Sequence, residues 1–463
     1  MRSGALRFRR LAVNGSCQAH GFRKSHEILA RSLQKPFSST SRQGESSKFL
    51  LPTVSSCQDS FNKFKVHFLL AAAAAGTAFT SYSYAESLKE EVVSSENGDG
   101  SRKKKRVMAN DGSQFYIPPS DTSKMKVFSG NGNWHLANEI SMHLGTTLGR
   151  ATVKRFADGE VSVNIHDNVR GKDVFVIQPV GPPVNENLME LLLMISTLRR
   201  ASARKITAVI PYFGYSRQSN REDGKTPIAA ADVAKMLSVA GADRIVAIDL
   251  HNAQIAGFFG PETPVDNLDV SGIAIPYFET KFLQKPVIVS PDANGAARAK
   301  SFRDKLIHHG MDASLAVLLD HNQTKRGEAK EEDDDYVDAN DMELVGDVRG
   351  RDCVIFDDMV DSGKSITRCT KKLKQLGAKR VFAFATHGLF LSGAYDRIEK
   401  SDLIEVVCVN TIPLQTTQVA GVSSWTYSSK IHQLSVAALL AEAIRRIQNK
   451  QSLSYLFDNH DSK

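Results

Sequence analysis

The sequence predicts an α/β protein whose body consists of two lobes, each a mostly parallel β-sheet flanked by helices. Three observations carry this expectation. From Met125 onward, short β-rich runs alternate with segments of helical periodicity. The runs are continuously apolar rather than alternating, as strands buried on both faces are. The pattern also persists over about 330 residues, more than one core comfortably holds. The body is therefore expected to divide into lobes at 125–270 and 271–457.

Taken in order, the chain opens on a basic leader. Residues 1–60 carry ten Lys/Arg against three acids (Glu27, Glu45 and Asp59), a net +7 of the +8 on the whole 463-residue chain. A leader rich in Arg and Ser and poor in acids predicts a transit peptide, with mitochondria the expected destination and a plastid the other. The remainder is nearly neutral. That argues against a broad nucleic-acid surface, which needs clustered positive charge. Residues 61–124 are expected to be a weakly apolar segment followed by a polar linker. Within them, 66–85 has no Asp, Glu, Lys or Arg and is just long enough to span a bilayer. Its Ala, Ser, Thr and Tyr make it only weakly hydrophobic, so it reads as a membrane contact or as part of the leader. The basic run Arg102–Arg106 lies in the linker and reads as solvated charge.

In the body, strands are predicted at 126–130, 174–180, 205–215, 244–250, 286–292, 314–320, 353–358 and 380–388. A helix is predicted over 184–203, where Leu188, Leu191, Ile195 and Leu198 repeat at helical spacing. Residues 321–343 break the pattern, being polar, acid-rich and aperiodic. A loop of that length inside a compact domain is usually functional. The five cysteines (Cys17, Cys57, Cys353, Cys369, Cys408) are too few and scattered for a disulfide framework, and no CxxC pair points to zinc. Cys353 and Cys408 lie in apolar runs and read as buried hydrophobes.

The chemistry concentrates in residues 353–377, CVIFDDMVDSGKSITRCTKKLKQLG. A buried strand is expected to end in two carboxylates, Asp357 and Asp358. A short loop with Asp361, Ser362, Gly363, Lys364 and Ser365 then opens a helix. In open α/β sheets ligands sit at this edge, outside the carboxyl ends of the strands. Backbone N–H groups at a helix start bind phosphate, and a carboxylate pair accepts hydrogen bonds from vicinal hydroxyls. Together they describe a sugar-phosphate site. Taken alone, the same residues also suit a strand end with Asp361 or Ser362 capping the helix. Gly363-Lys364-Ser365 imitates the end of a P-loop, but the first glycine of that loop would fall on Asp358, which excludes it.

This motif resembles the phosphoribosyl-pyrophosphate (PRPP) signature, and the body from Lys126 to about Phe457 resembles the ribose-phosphate pyrophosphokinase (PRPP synthetase) family. The resemblance is carried by RFADGE (155–160), VRGKDVFVIQ (169–178), NENLMELLLMI (185–195), VIPYFGYSRQ (209–218), AGADRIVAIDLH (240–251), VSPDANGAAR (289–298), ATHGLF (385–390) and NTIP (410–413). It implies two phosphoribosyltransferase-like lobes. It also implies transfer of the diphosphoryl group of MgATP to ribose 5-phosphate, giving PRPP and AMP for nucleotide biosynthesis. On that resemblance, Asp357 and Asp358 would hold the ribose hydroxyls, and Asp361 to Ser365 the 5-phosphate. Phe156 would stack on adenine, with Asp158, Gly159 and Glu160 beside it, while Arg217 and Gln218 would meet the nucleotide phosphates or base. His251 and Asp292 would contact Mg2+, and His251 the ATP; Asp249 would support His251 sooner than bind the metal, so Asp249 and Asp266 are the weaker metal candidates. The family forms homo- or hetero-oligomers, commonly hexamers, in which adjacent subunits complete the ATP site.

Two departures from the family pattern bear on activity. Active members usually carry a Lys-x-Arg element directly after the strand that here reads SLAVLLD; this chain has Asp320-His321-Asn322 there. Lys325 and Arg326 would supply the cations if the longer loop displaces the element. Lys364 stands where the family usually has a small residue. The expanded loop also raises the alternative of a weakly catalytic, synthetase-associated regulatory subunit. A phosphoribosyltransferase consuming PRPP shares the 353–365 signature but leaves the segments at 155–160 and 209–218 unexplained.

Overall fold

The structure is a computed structural model that describes residues 124–221, 225–320, 342–414 and 428–456, with short strands at 106–108, 114–116, 418–419 and 422–423. The leader, the 66–85 segment and the loop residues Lys325 and Arg326 lie outside the described residues.

The first sheet is built from β1 (Met125–Ser129), β4 (Asp173–Ile177), β5 (Lys205–Ile210), β6 (Arg244–Ile248) and β7 (Val265–Leu268), all parallel and in that spatial order. A separate antiparallel hairpin, β2 (Ala151–Arg155) and β3 (Val161–Ile165), is inserted between β1 and β4. The crossovers carry α1 (Trp134–His143), α2 (Val184–Arg200) and α3 (Ala229–Ala240), and α4 (Ser271–Glu279) follows β7. Helix α2 has Glu186 in its first turn and Arg199 and Arg200 in its last, both favourable to the helix dipole. Helix α3 stops at Gly241, whose φ of 110° is the left-handed C-terminal cap that glycine adopts without steric cost.

The second sheet comprises β8 (Val287–Ser290), β9 (Ser314–Asp320), β10 (Met342–Val345), β11 (Asp352–Val360), β12 (Arg380–Gly388), β13 (Glu405–Val409) and β14 (Ile431–Leu434). The spatial order is β10-β9-β8-β11-β12-β13-β14, parallel except for the edge pair β9–β10. Helices α5 (Ala296–His308), α6 (Lys364–Gln375), α7 (Ala394–Lys400) and α8 (Ala437–Gln448) cover it. Because the chain leaves β8 for β9 on one side and returns to β11 on the other, the strand order reverses at β8/β11.

The two sheets share a core. Val127, Phe175, Ile177, Val209 and Val246 of the first pack in one cluster with Ile288, Val354, Phe356, Phe382 and Phe384 of the second, through α1, α4, α5 and α8. The outer face of the first sheet is closed by α2 and α3 and that of the second by α6 and α7, so helices and sheets alternate in layers. At the centre the Phe302 ring stacks on Phe356 at 4.1 Å, and Phe356 on Phe384 at 5.1 Å. Among the described residues, no helix is long and apolar enough to cross a membrane. Replacing the fully buried Phe302 by Ala is expected to lower the unfolding free energy by about 3–5 kcal/mol, read by chemical denaturation.

Candidate functional site

The reversal at β8/β11 opens a crevice at the carboxyl ends of these strands, where α/β sheets bind ligands. Strand β11 does not end at Asp358 as expected: its pairing with β12 runs on to Val360 opposite Gly388. The acid pair therefore lies within a paired strand rather than in the loop beyond it. Asp358 is buried at 3% exposure and Asp357 is partly covered. Asp357 Oδ1 accepts the backbone N–H of Asp358 at 2.9 Å.

Beyond β11, the loop enters α6 through Gly363, whose φ of 75° again favours glycine. Asp361 does not cap the helix, whereas the Ser362 hydroxyl oxygen accepts the Lys364 N–H at 3.5 Å. The cap position is Gly363, and no side chain bonds the first turn from it. The N–H groups that follow Lys364 on the first turn are those a helix start presents to an anion. Lys364 and Ser365 lie on its first turn, and Arg397 of α7 braces the loop by donating to the Ser362 carbonyl.

Strand ends of the first sheet meet this crevice. His251 Nδ1 lies 2.6 Å from Asp358 Oδ2, and Arg217 Nη1 donates to Asp361 Oδ2 at 2.6 Å. Arg298, on α5, reaches Asp249 Oδ1 at 3.3 Å, Asp358 Oδ1 at 3.5 Å and the His251 carbonyl at 3.3 Å. Asp249 was expected to support His251; its carboxylate instead pairs with Arg298 and accepts the Thr386 hydroxyl at 2.6 Å. Its effect on His251 passes through Arg298. Asp249 has a left-handed φ of 41°, and its carbonyl lies 3.2 Å from His387 Nε2. His387 is itself buried, bonded to Thr411 at 2.9 Å and packed edge-on against Tyr212 at 5.0 Å.

The electrostatics follow from these contacts. Burial, then the neighbouring charge of Asp358, pushes the Asp357 carboxyl well above the usual carboxylate range. Burial acts on Asp358 in the same sense. There the hydrogen bond with His251 and the charge of Arg298 outweigh it and hold the group well below that range. The pair therefore consists of one firmly ionised carboxylate and one that takes up a proton readily. Burial likewise pushes the Cys353, Cys369 and Cys408 thiols up to about 12, so they are inert packing groups.

The structure gathers Asp357, Asp358, Asp361 to Ser365, Asp249, His251 and Arg217 in one place. Asp292 lies in the loop after β8, bonded through Oδ1 to the Gly295 N–H at 2.7 Å, and its charge acts on Asp357. Gln218 is exposed beside Arg217, in a turn closed by its N–H on the Tyr215 carbonyl at 3.0 Å. Asp266 is not brought here. It lies in β7, and its Oδ2 accepts from Arg244, the first residue of β6, at 2.5 Å. Phe156, Asp158, Gly159 and Glu160 form the tip of the β2–β3 hairpin, with Phe156 56% exposed and the tip's hydrogen bonds internal. Sequence reasoning missed Arg298, Thr386, His387 and Tyr212. Arg298 left a signal: it lies four residues before the buried Phe302 on α5, where a cation needs partners.

Because the folded state raises the Asp357 pKa, it favours the protonated acid. The resulting stability is complete below the unfolded carboxyl value and is lost as pH rises through the folded value. Asp357→Asn, neutral at every pH, is expected to raise the melting temperature at pH 8 by about 2–4 °C. That advantage should shrink toward pH 5 in thermal melts.

Comparison with known proteins places this geometry. Residues 125–241 match the family described as the N-terminal domain of ribose phosphate pyrophosphokinase, and residues 337–458 match the phosphoribosyl synthetase-associated domain. The ribose-phosphate pyrophosphokinase of Vibrio parahaemolyticus is 44% identical over 335 residues, covering 72% of this chain and 99% of that protein. That of Wolinella succinogenes is 43% identical over 332 residues, covering 72% and 98%. Among solved structures, phosphoribosylpyrophosphate synthetase from Mycobacterium smegmatis superposes with a TM-score of 0.62 at 33% identity, covering 71% of this chain and 99% of that one.

Proposed function

This chain belongs to the ribose-phosphate pyrophosphokinase family and is a ribose-phosphate diphosphokinase; we propose that it works through the crevice at β8/β11, transferring the diphosphoryl group of MgATP to ribose 5-phosphate. The observation that carries the assignment is the joining of the acid pair and the loop at the α6 start to His251 and Arg217 of the other sheet. Asp357 and Asp358 accept hydrogen bonds from the 2- and 3-hydroxyls of the ribose. Residues Asp361 to Ser365 hold the 5-phosphate with backbone N–H groups, and Lys364 adds a cation. With both ends of the sugar fixed, its 1-hydroxyl is the free nucleophile. The new bond joins that oxygen to the β-phosphorus, the bond from β-phosphorus to the α-phosphate oxygen breaks, and AMP leaves. Such transfers need positioning and charge neutralisation rather than covalent help.

The donor set suits Mg2+. His251 uses Nδ1 on Asp358 and keeps Nε2; Asp292 uses Oδ1 on Gly295 and keeps Oδ2. Among the described residues no three His, Cys, Asp or Glu cluster as a metal cage, and Mg2+ needs none when waters and phosphates fill its shell. His251 and Asp292 would hold the ion, which supplies charge neutralisation on the phosphates. Lys325 and Arg326 are assigned to the same task. The exposed Phe156 hairpin suits an adenine site completed between subunits of a homo- or hetero-oligomer.

Full-length protein supplied with Mg2+, ATP and ribose 5-phosphate is expected to form AMP in a coupled assay, and Asp357→Ala to slow it about 10²-fold or more. Absence of turnover with ribose 5-phosphate still bound would favour the associated-subunit reading instead.

The acid-poor leader supports a mitochondrial location. Residues 1–60 fused to a fluorescent protein should direct it to mitochondria. Delivery to plastids, or retention in the cytosol, would overturn that location.

A further inference from the structure

The ion pair between Arg217 and Asp361 raises a question that the site assignment leaves open. Asp361 is a carboxylate in the loop assigned to a phosphate dianion, and like charges at such range repel. Something must cancel it. Arg397 is occupied by the Ser362 carbonyl rather than by Asp361. Among the described residues, the cation bonded to the Asp361 carboxylate is Arg217, from the other lobe, at 2.6 Å. The backbone turn that carries Arg217 is itself fixed, while its side chain is 48% exposed. Its charge acts on the phenol of Tyr212, which is 5% exposed. The turn that presents it passes through Tyr215, whose left-handed φ of 63° is unusual for an aromatic residue. The Tyr215 hydroxyl is anchored on Asn185. A guanidinium has five donors in a fixed fork, so the bond from Nη1 leaves others for a nucleotide phosphate.

We propose that Arg217 belongs to both substrate sites: it neutralises Asp361 so that the 5-phosphate loop accepts a dianion, and it presents its remaining donors to the nucleotide. The proposal rests on the assignment of Asp361 to Ser365 to the 5-phosphate. It makes Arg217 the point at which ribose-phosphate binding and nucleotide binding meet within one chain. It also predicts that an arginine assigned to ATP governs affinity for a sugar phosphate when no nucleotide is present.

The test is isothermal titration of the full-length chain with ribose 5-phosphate in the absence of nucleotide. Arg217→Ala is expected to weaken binding about 10-fold, and Arg217→Lys to recover part of the loss. The double variant Arg217→Ala/Asp361→Asn has no charge to cancel and should bind within about threefold of wild type. Arg217→Ala binding as tightly as wild type would overturn the proposal, as would a double variant no better than the single one. Both outcomes leave the site assignment standing. A wild-type chain that fails to bind ribose 5-phosphate overturns that assignment and the proposal with it.

Discussion

The site depends on the compensation of Asp358. A carboxylate at 3% exposure beside a second carboxylate is unfavourable unless opposite charge and hydrogen bonds surround it. Its own sheet supplies only part of this, through Arg298 on α5. The closest bond comes from His251, at the end of a strand in the other sheet. Electrostatics thus require the two lobes to meet at the crevice, and the lobes meet where the acid pair needs them.

The packing agrees with that requirement. One apolar cluster runs from the first sheet through α1, α4, α5 and α8 to the second, so the lobes cannot separate without exposing shared core. Near the site a smaller cluster of Tyr212, Leu389 and Ile412 makes the same bridge. Asn133 at the start of α1 donates to the Asn410 carbonyl at 2.9 Å, and Asn410 lies 3.3 Å from Glu139. Apolar burial supplies the stability of this junction, and directional bonds set its register.

The sequence makes visible what is encoded locally. Strands β8, β11, β12 and β13 are buried on both faces, and continuous apolar runs announce such strands, although β13 was passed over beside stronger neighbours. The hairpin β2–β3 was missed because it is half exposed and flanked by polar residues, so its pattern is weak. The acid pair and the loop that follows it were legible as one candidate site because they are contiguous. Their partners Arg298, Thr386, His387 and Tyr212 were not. Each acts across 49 to 138 residues of chain or across the lobe boundary, where spacing in sequence carries no information.

Asp249 shows how a residue of this kind acquires its role. A left-handed conformation costs a non-glycine residue about 1–3 kcal/mol unless its surroundings fix it. Here three groups do so: Arg298 and Thr386 hold the carboxylate, and His387 meets the carbonyl. The strained turn aims the following residues, Leu250 into the core and His251 toward Asp358. Asp249, which the resemblance placed in support of His251, is in the structure the fixed point of a turn. The carboxylates left facing the crevice are Asp357, which takes a proton readily, and Asp292, which keeps one oxygen unused. Under the proposed assignment these are the groups a cation or a sugar hydroxyl would meet first, and its binding would be coupled to the protonation of Asp357.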